Sequence, residues 1–594
     1  MNQVQKLCFL LLVSVASVFS VVSSSRADAF EEQVDLAPIE RAVAQHDSTL
    51  QTLDTIARQA LSQMNGRATI DGQNPVYTLF DMSFRPAEYA DRPIVRINHL
   101  PLRQDLADAI GLKEGTDEYH EFLKEARVPP TFYLEPAVQA RLERIESREL
   151  HKADAVRQFR QQAETARAFL ESSIMPPVRM LPPAEGEGSD GKWHALVELI
   201  QSPESLRGYE AEAVAQVIKS SADLRAAWID RDASSANAAI EELADALVAV
   251  NPAAYPSETK RRVEVAYNGL TKLTLPGAMI YFGALVCLLL SAYGEAPRLR
   301  LWGIRLLLLG LLVHTLGIAV RWWLVEKSTN DWFHAIPIKN QFESVMFSAW
   351  FGAIVGLFLE LRRKKNGGGG VFGAAAAFVG FLSLLALFAA PHVWRDIGGD
   401  IRQVGGILMS YWLYVHVTTV VASYALIGMN FLIAIWWLVA KARGMGQTAP
   451  AALSLASNDG MFRTLGRAMF LPVGGGSTAG AFSTDEPASP GKPLLTRLDA
   501  ANVVILQLAF WLLGVGIVLG AVWADMSWGR PWGWDPKETF ALVTWIVYLI
   551  ILHVRLVTSN KALWTAILSV IGFFIMLFNW IGVNFFLVGL HSYA

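Results

Sequence analysis

The chain has 594 residues, 53% of them hydrophobic and only 18% charged, with a mean hydropathy of +0.31. That balance excludes an ordinary soluble protein and points to a membrane. With 51 basic against 54 acidic residues the net charge of -3 offers no footprint for nucleic acid, and two cysteines, Cys8 and Cys287, supply neither a disulfide framework nor a thiolate metal site.

Residues 1–29 combine a short start carrying Lys6, an apolar run over 7–22, and Ala27-Asp28-Ala29 as a small-x-small cleavage site, which is the pattern of a secretory signal. The segment that follows is then exported. From Phe30 to about Lys272 the chain is charged and rich in Ala, Glu and Arg, with helical periodicity over 138–170 and 209–228. This predicts a soluble helical domain, 30–272. Pro176-Pro177, Pro182-Pro183 and the Glu-Gly run from Glu185 predict a joint near 176–192 between two lobes. Its five histidines are scattered and read as packing or surface residues.

Beyond residue 272 come eight apolar runs, at about 274–293, 301–325, 342–361, 371–391, 408–440, 500–524, 539–557 and 563–588. Each approaches the roughly 20 residues that a bilayer core demands. The fold class is therefore mainly α: a polytopic helical membrane protein of about eight spans over 273–594, with an exported N-terminal helical domain. If that domain is outside, the loops after spans one, three, five and seven are cytoplasmic. They carry Arg298 and Arg300, then Arg362-Arg363-Lys364-Lys365, then Lys441 and Arg443, then Arg555 and Lys561, as the positive-inside rule requires. One of these loops, in the stretch 441–499, is rich in Gly, Ala, Pro and Ser and reads as a linker.

Chemistry concentrates on the other side. Of 19 tryptophans only Trp193 and Trp228 precede residue 270, and the densest string is Trp528-Gly529-Arg530-Pro531-Trp532-Gly533-Trp534-Asp535-Pro536-Lys537-Glu538, between spans six and seven. Its second half is a helix start, with Asp535 as N-cap, Pro536 at the first helical position and Glu538 completing a capping box. Its first half sets three indoles among glycines and a proline. An interfacial aromatic belt needs no glycines, whereas a flat ligand lying on the rings of Trp528, Trp532 and Trp534 needs a closely approaching backbone.

Six histidines follow residue 300. His416 opens span five and His591 closes span eight on the outer side, while His314 and His553 lie within spans two and seven, His553 about 26 Å below Pro536 along an ideal helix. The topology makes two pairs, one outer and one buried. A neutral imidazole is a common iron ligand, and two imidazoles across an aromatic floor suit a planar haem, although a lone histidine in a span is as often a packing residue. Arg321, seven residues after His314, is placed to pair with a propionate or to snorkel to the interface.

The Trp528 to Glu538 string resembles the WWD haem-handling motif, and the chain from about residue 300 onward resembles the CcsA/ResC-type cytochrome c biogenesis proteins of the system II haem-attachment pathway. Supporting segments are Val313-His314-Thr315, Pro337 to Ser344, Ser410 to His416, His553-Val554-Arg555, and Gly582 to Ala594. Phe342 stands where that family usually has an aromatic hydroxyl. The resemblance implies His416 and His591 as outer ligands of haem b, and His553 with His314 or a partner's histidine on a transmembrane route. It implies cytochrome c maturation: haem presented for covalent attachment, in complex with a separate ResB-like subunit, to an apocytochrome c bearing Cys-x-x-Cys-His, with an external thiol reductant. It places the chain in a bacterial cytoplasmic membrane, surrounded by lipid, with the N-terminal domain and tryptophan loop extracytoplasmic, and gives that domain no role. Two other readings stand beside it. A haem-containing electron-transfer subunit commonly has two ligands on one helix, and no span here contains two histidines. A transporter or transferase for an amphipathic substrate carries no haem.

Overall fold

The computed structural model describes residues 29–587, apart from 47–48, 150–151, 173–174, 188–190, 202–207, 295, 326–337, 339, 363–368, 394–398, 400–409, 445–493 and 584–586. The expected signal segment, most of the linker, and His591 lie outside the described residues. The chain divides into two compact units, with the boundary between Gly269 and Leu270.

The N-terminal unit is helical with two short antiparallel ribbons. Its helices are α1 (Leu53–Asn65), α2 (Pro75–Phe84), α3 (Leu100–Ala109), α4 (Asp117–Glu125), α5 (Pro136–Arg148), α6 (Ala153–Glu171), α7 (Ala211–Ile229), α8 (Ala233–Val250) and α9 (Glu258–Gly269). The strands are β1 (Val43–His46) with β2 (Thr49–Thr52), and β3 (Val95–Arg96) with β4 (Arg127–Val128). Local signals start these helices: Asn74 accepts from the amides of Val76 and Tyr77 with Pro75 at the first helical position, and Thr116 caps α4. In α6 the buried Val156, Phe159, Ala163, Ala166 and Phe169 recur every three or four residues and form one apolar face. The periodicity read over 138–170 is two helices, α5 and α6, broken near Glu149.

One core joins what the sequence reading divided into two lobes. Trp228 of α7 packs against Phe30, Tyr77, Phe80 and Phe84, with ring centroids 5.0–6.0 Å away. Its Nε1 donates to Asp81 at 2.9 Å, and the same carboxylate accepts from the Tyr89 hydroxyl at 3.0 Å. Burial, then the Asp81 charge, push the Tyr89 hydroxyl well above its usual range. The proline-rich stretch expected to be a joint contributes Met175, Met180 and Leu181 to this core, all fully buried, and bridges Arg179 to Gln45 and Leu181 to His194. Proline there marks an extended packed segment, since it removes a backbone donor without requiring mobility.

Among the described residues the second unit contains eight helices long and apolar enough to cross a membrane. They are α10 (Thr274–Gly294), α11 (Pro297–Val325), α12 (Gln341–Arg362), α13 (Val371–Val393), α14 (Tyr411–Ala442), α15 (Leu494–Trp528), α16 (Pro536–Val557) and α17 (Lys561–Leu577), the last continued by a π-turn, Phe578–Gly582. The spans are those expected from hydropathy. Their buried charges come in pairs at the helix ends, because an unpaired charge in an apolar medium costs several kcal/mol. Arg300 meets Glu360, which also accepts from the amides of Gly370 and Gly373, and Arg555 meets Asp499 and Thr565. These pairs share one end of the bundle, and Arg321 with Glu343 lies toward the other.

In the N-terminal unit, Glu264 of α9 is buried and its Oε1 accepts from the Thr52 amide and the hydroxyls of Thr52 and Thr55. Burial outweighs these donors and lifts its carboxyl above the usual range. A folded value above the unfolded one gives a stabilising contribution that is complete below the unfolded pKa and is lost as pH rises through the folded value. Glu264→Gln keeps the accepting oxygen and removes the charge, so it should raise the unfolding temperature by about 3 °C at pH 8 and change little at pH 4. Thermal melts of the full chain at the two pH values check this; equal shifts at both would contradict it.

Candidate functional site

Small residues on one face of α15 allow α14 to come close. Gly516, Gly520 and Trp523 are spaced by four and three residues and share that face, opposite His416 and Val420 of α14. A methyl group at Gly516 would sit 2.6 Å from Val420 Cγ2, and one at Gly520 2.6 Å from His416 Cε1. Only glycine fits at either position.

The close approach fixes the imidazole. His416 Nδ1 lies 2.8 Å from the Gly516 carbonyl oxygen. A carbonyl only accepts, so Nδ1 carries the proton and Nε2 carries the lone pair that a metal requires. The ring lies parallel to the Trp523 indole, 10° between planes and 6.3 Å between centroids. Trp528 then meets Trp523 edge-on at 4.8 Å. His416 is thus joined to the tryptophan string through Trp523, a residue the sequence reading overlooked. The Gly516, Gly520, Trp523 spacing was the available signal.

The string itself folds around Glu538. The Asp535 side chain accepts from the Lys537 amide, and the capping box with Glu538 is complete. Glu538 Oε2 also accepts from the amides of Gly533, at 2.8 Å, and Asp535, at 3.3 Å. These two amides flank Trp534, whose φ of 56° is a left-handed value that a bulky residue seldom adopts. The turn holds the Trp534 indole outward, 70% exposed. Trp532 stands at 85° to it, with centroids 5.8 Å apart, so the three indoles of the string form an angled surface and not the single flat floor expected. Lys537 Nζ donates to the Trp580 carbonyl in the π-turn, at 3.1 Å, tying the string to the end of the last span. A π-turn leaves carbonyls outside the helical ladder, and this one is used.

The other expected site residues are dispersed. His314 is fully buried, with its Nδ1 3.4 Å from the Tyr281 hydroxyl of α10. His553 is exposed on α16, with Nδ1 bonded to the Leu549 carbonyl one turn back. Since α11 packs on α10 and α12, and α16 on α15 and α17, the structure does not bring these two imidazoles together as a buried pair. Arg321 does not snorkel to the interface. It is fully buried, its Nε donates to Glu343 at 2.6 Å, and its guanidinium lies 5.1 Å from the Phe342 ring. His591, the expected partner of His416, is outside the described residues.

Glu538→Ala should free the Gly533 and Asp535 amides and lower the local stability of the turn by about 2 kcal/mol. Hydrogen exchange over 528–535 should accelerate roughly 30-fold. Asp535→Ala should cost about 1 kcal/mol through the lost cap. Unchanged exchange in both variants would show that the turn is held by something else.

Comparison with known proteins bears on the same residues. The family model described as cytochrome C assembly protein matches residues 338–591, which take in α12 to α17 and the whole tryptophan string. The cytochrome c biogenesis protein CcsA of Porphyra purpurea is 32% identical over 326 residues, covering 53% of this chain and 95% of that protein. The CcsA of Synechococcus elongatus is 33% identical over 280 residues, covering 44% of this chain and 81% of that protein. Protein NrfI of Wolinella succinogenes is 26% identical over 559 residues; that likeness covers 92% of this chain, and so extends into the N-terminal unit, but only 53% of NrfI.

Proposed function

We propose, from the premise that this chain belongs to the CcsA-type cytochrome c biogenesis proteins and serves cytochrome c maturation, that it holds haem against His416 and the Trp528 to Trp534 string and presents it for attachment to apocytochrome c. The observation that carries this reading is the oriented imidazole: Nδ1 donates to the Gly516 carbonyl, which puts the ring's lone pair on Nε2, and the ring lies parallel to Trp523. Gly520 leaves room for the ring against α15, and the Gly516 carbonyl sets its tautomer, which together support a ligand role over packing alone. His591, which follows the last span at the same end of the chain's topology, is the second axial ligand in this reading.

Haem is substrate here. Two imidazoles would fill both open positions on its iron and so keep oxygen from it, and exposed indoles would bind its apolar faces while excluding water. Attachment adds the S–H of each apocytochrome cysteine across a vinyl C=C, forming a C–S and a C–H bond with no net oxidation. The chain's contribution is position. The acceptor's own histidine displaces one imidazole and begins release. The acceptor thiols must arrive reduced, and an external thiol reductant is a partner for that reason, since Cys8 and Cys287 offer no dithiol. Arg321, already neutralised by Glu343, is assigned to holding α11 against α12 and not to a propionate.

The charge of the loops supports a sidedness for this reading: the Arg300, Glu360 and Arg555 end cytoplasmic, and the tryptophan string and the N-terminal unit outside. In this reading a ResB-like membrane subunit packs on α16. Val543, Ile546, Ile550, His553 and Val557 form an exposed stripe at three- and four-residue spacing. An imidazole facing lipid is costly, so a partner span covers this stripe and makes His553 part of the inward route of haem, with the second histidine on the partner.

His416→Ala should reduce haem retained by the purified chain at least fivefold, and added imidazole should restore it. Gly520→Ala should mimic the loss with every ligand intact, by displacing the ring. Haem-to-protein ratios from pyridine haemochrome spectra measure both. Full haem content in both variants would refute the assignment of His416.

A further inference from the structure

The N-terminal unit carries a basic pocket on its small β3–β4 ribbon, with four cationic side chains against one carboxylate, Glu125. The register sets Arg96 directly opposite Arg127. Like charges opposed across two strands destabilise the pair unless something lies between them. Arg67, Thr69, Lys124, Glu125 and Ala126 complete the lining of a cavity of roughly 520 Å³, a volume within the small-molecule range. Among the described residues, none of Arg67, Arg96, Lys124 or Arg127 is within ion-pair distance of a carboxylate, although elsewhere in the unit surface arginines routinely find one.

The two central arginines lie at the end of α1. Arg127 Nε donates to the carbonyl and side-chain oxygens of Asn65 at the end of α1. Arg96 lies across Gly66, where φ is +75° and where a Cβ would come within 2.6 Å of the arginine's Cδ and Nη1. Both guanidinium groups are half-buried, and α1 ends beneath them, with its C-terminal carbonyls favouring cations. Crowding has a cost that shows in the groups themselves. Burial first, and then the neighbouring Arg67 and Arg96, pull Arg127 below the usual guanidinium range, with Glu125 opposing; Arg103 is lowered by burial and by Arg96.

We infer that this pocket binds a phosphate group, held between Arg96 and Arg127 with Arg67, Lys124 and the Thr69 hydroxyl at its rim. Two opposed guanidinium forks suit a tetrahedral dianion, each offering paired donors to its oxygens. A free phosphate compound and a phospholipid headgroup present the same chemistry, and experiment separates them.

The test uses the full chain, purified in a phosphate-free, non-phospholipid detergent. Inorganic phosphate is titrated by calorimetry against wild type, Arg96→Gln, Arg127→Gln and, as a control outside the pocket, Arg157→Gln. Phospholipid phosphorus retained per chain is measured on the same preparations. Saturable phosphate binding that weakens at least tenfold in both pocket variants and not in the control establishes the site with a free phosphate as ligand. Lower retained phospholipid in the pocket variants alone establishes it with a headgroup. Neither difference overturns the inference. Thermal melts give an independent reading: without anion Arg96→Gln should melt higher than wild type because repulsion is relieved, and phosphate should raise wild type but not the variant. A variant that melts lower, with a wild type indifferent to phosphate, also overturns it.

Discussion

The hydrogen bond from His416 Nδ1 to the Gly516 carbonyl is the interaction on which the haem-handling reading rests. It exists because two glycines let α14 and α15 approach until an imidazole lies on helix backbone. It spends a carbonyl already engaged in the helical ladder as a second acceptor, sets the tautomer, and aligns the ring with Trp523. The tryptophan string, although it begins only where α15 ends, is thereby coupled to a residue near the start of α14. Its own turn is held from below by Glu538 and tied by Lys537 to the π-turn closing the last span. One end of the bundle is thus assembled from three separate parts of the chain by hydrogen bonds to backbone atoms.

The opposite end is built on different physics. There Arg300 with Glu360 and Arg555 with Asp499 cross between helices, and Arg497 donates to the Ala292 carbonyl. Buried pairs of this kind add modest stability, yet losing one partner strands a charge, so they fix helix register. Two interhelical ion pairs clamp this end, whereas at the other the single Arg321–Glu343 pair stands beside glycine contacts and backbone hydrogen bonds that shape the tryptophan turn. This division would suit the proposed ligand, an apolar plate with a metal at its centre.

Much of this was legible in the sequence for a physical reason: spans and caps are local. Twenty apolar residues, a basic loop and an Asp-Pro-x-Glu start depend on nearest neighbours only, and all eight spans and the capping box at Asp535 are found where the pattern puts them. What escaped depends on partners distant in the chain. Arg321 was expected to seek a propionate or the interface, but Glu343, 22 residues on, claims it. His314 and His553 look equivalent as histidines in apolar runs, yet one is enclosed beside Tyr281 and the other faces outward, because which side of a span is covered is settled by neighbouring helices. The proline-rich stretch near 180 has the composition of a joint and the burial of a core, since composition reports backbone preference and not packing. Trp523 was hidden among apolar neighbours; its significance lies in the glycines one and two turns before it.

Resonance Raman spectroscopy of the haem-loaded full chain tests the central assignment most directly, since the spin-state bands report the iron's axial ligands. The account predicts six-coordinate low-spin haem in the wild type, a five-coordinate high-spin species in His416→Gly, and return of the low-spin bands when imidazole is supplied to that variant. A His416→Gly protein that retains the wild-type low-spin spectrum without added imidazole would show that the iron takes its ligand from somewhere else.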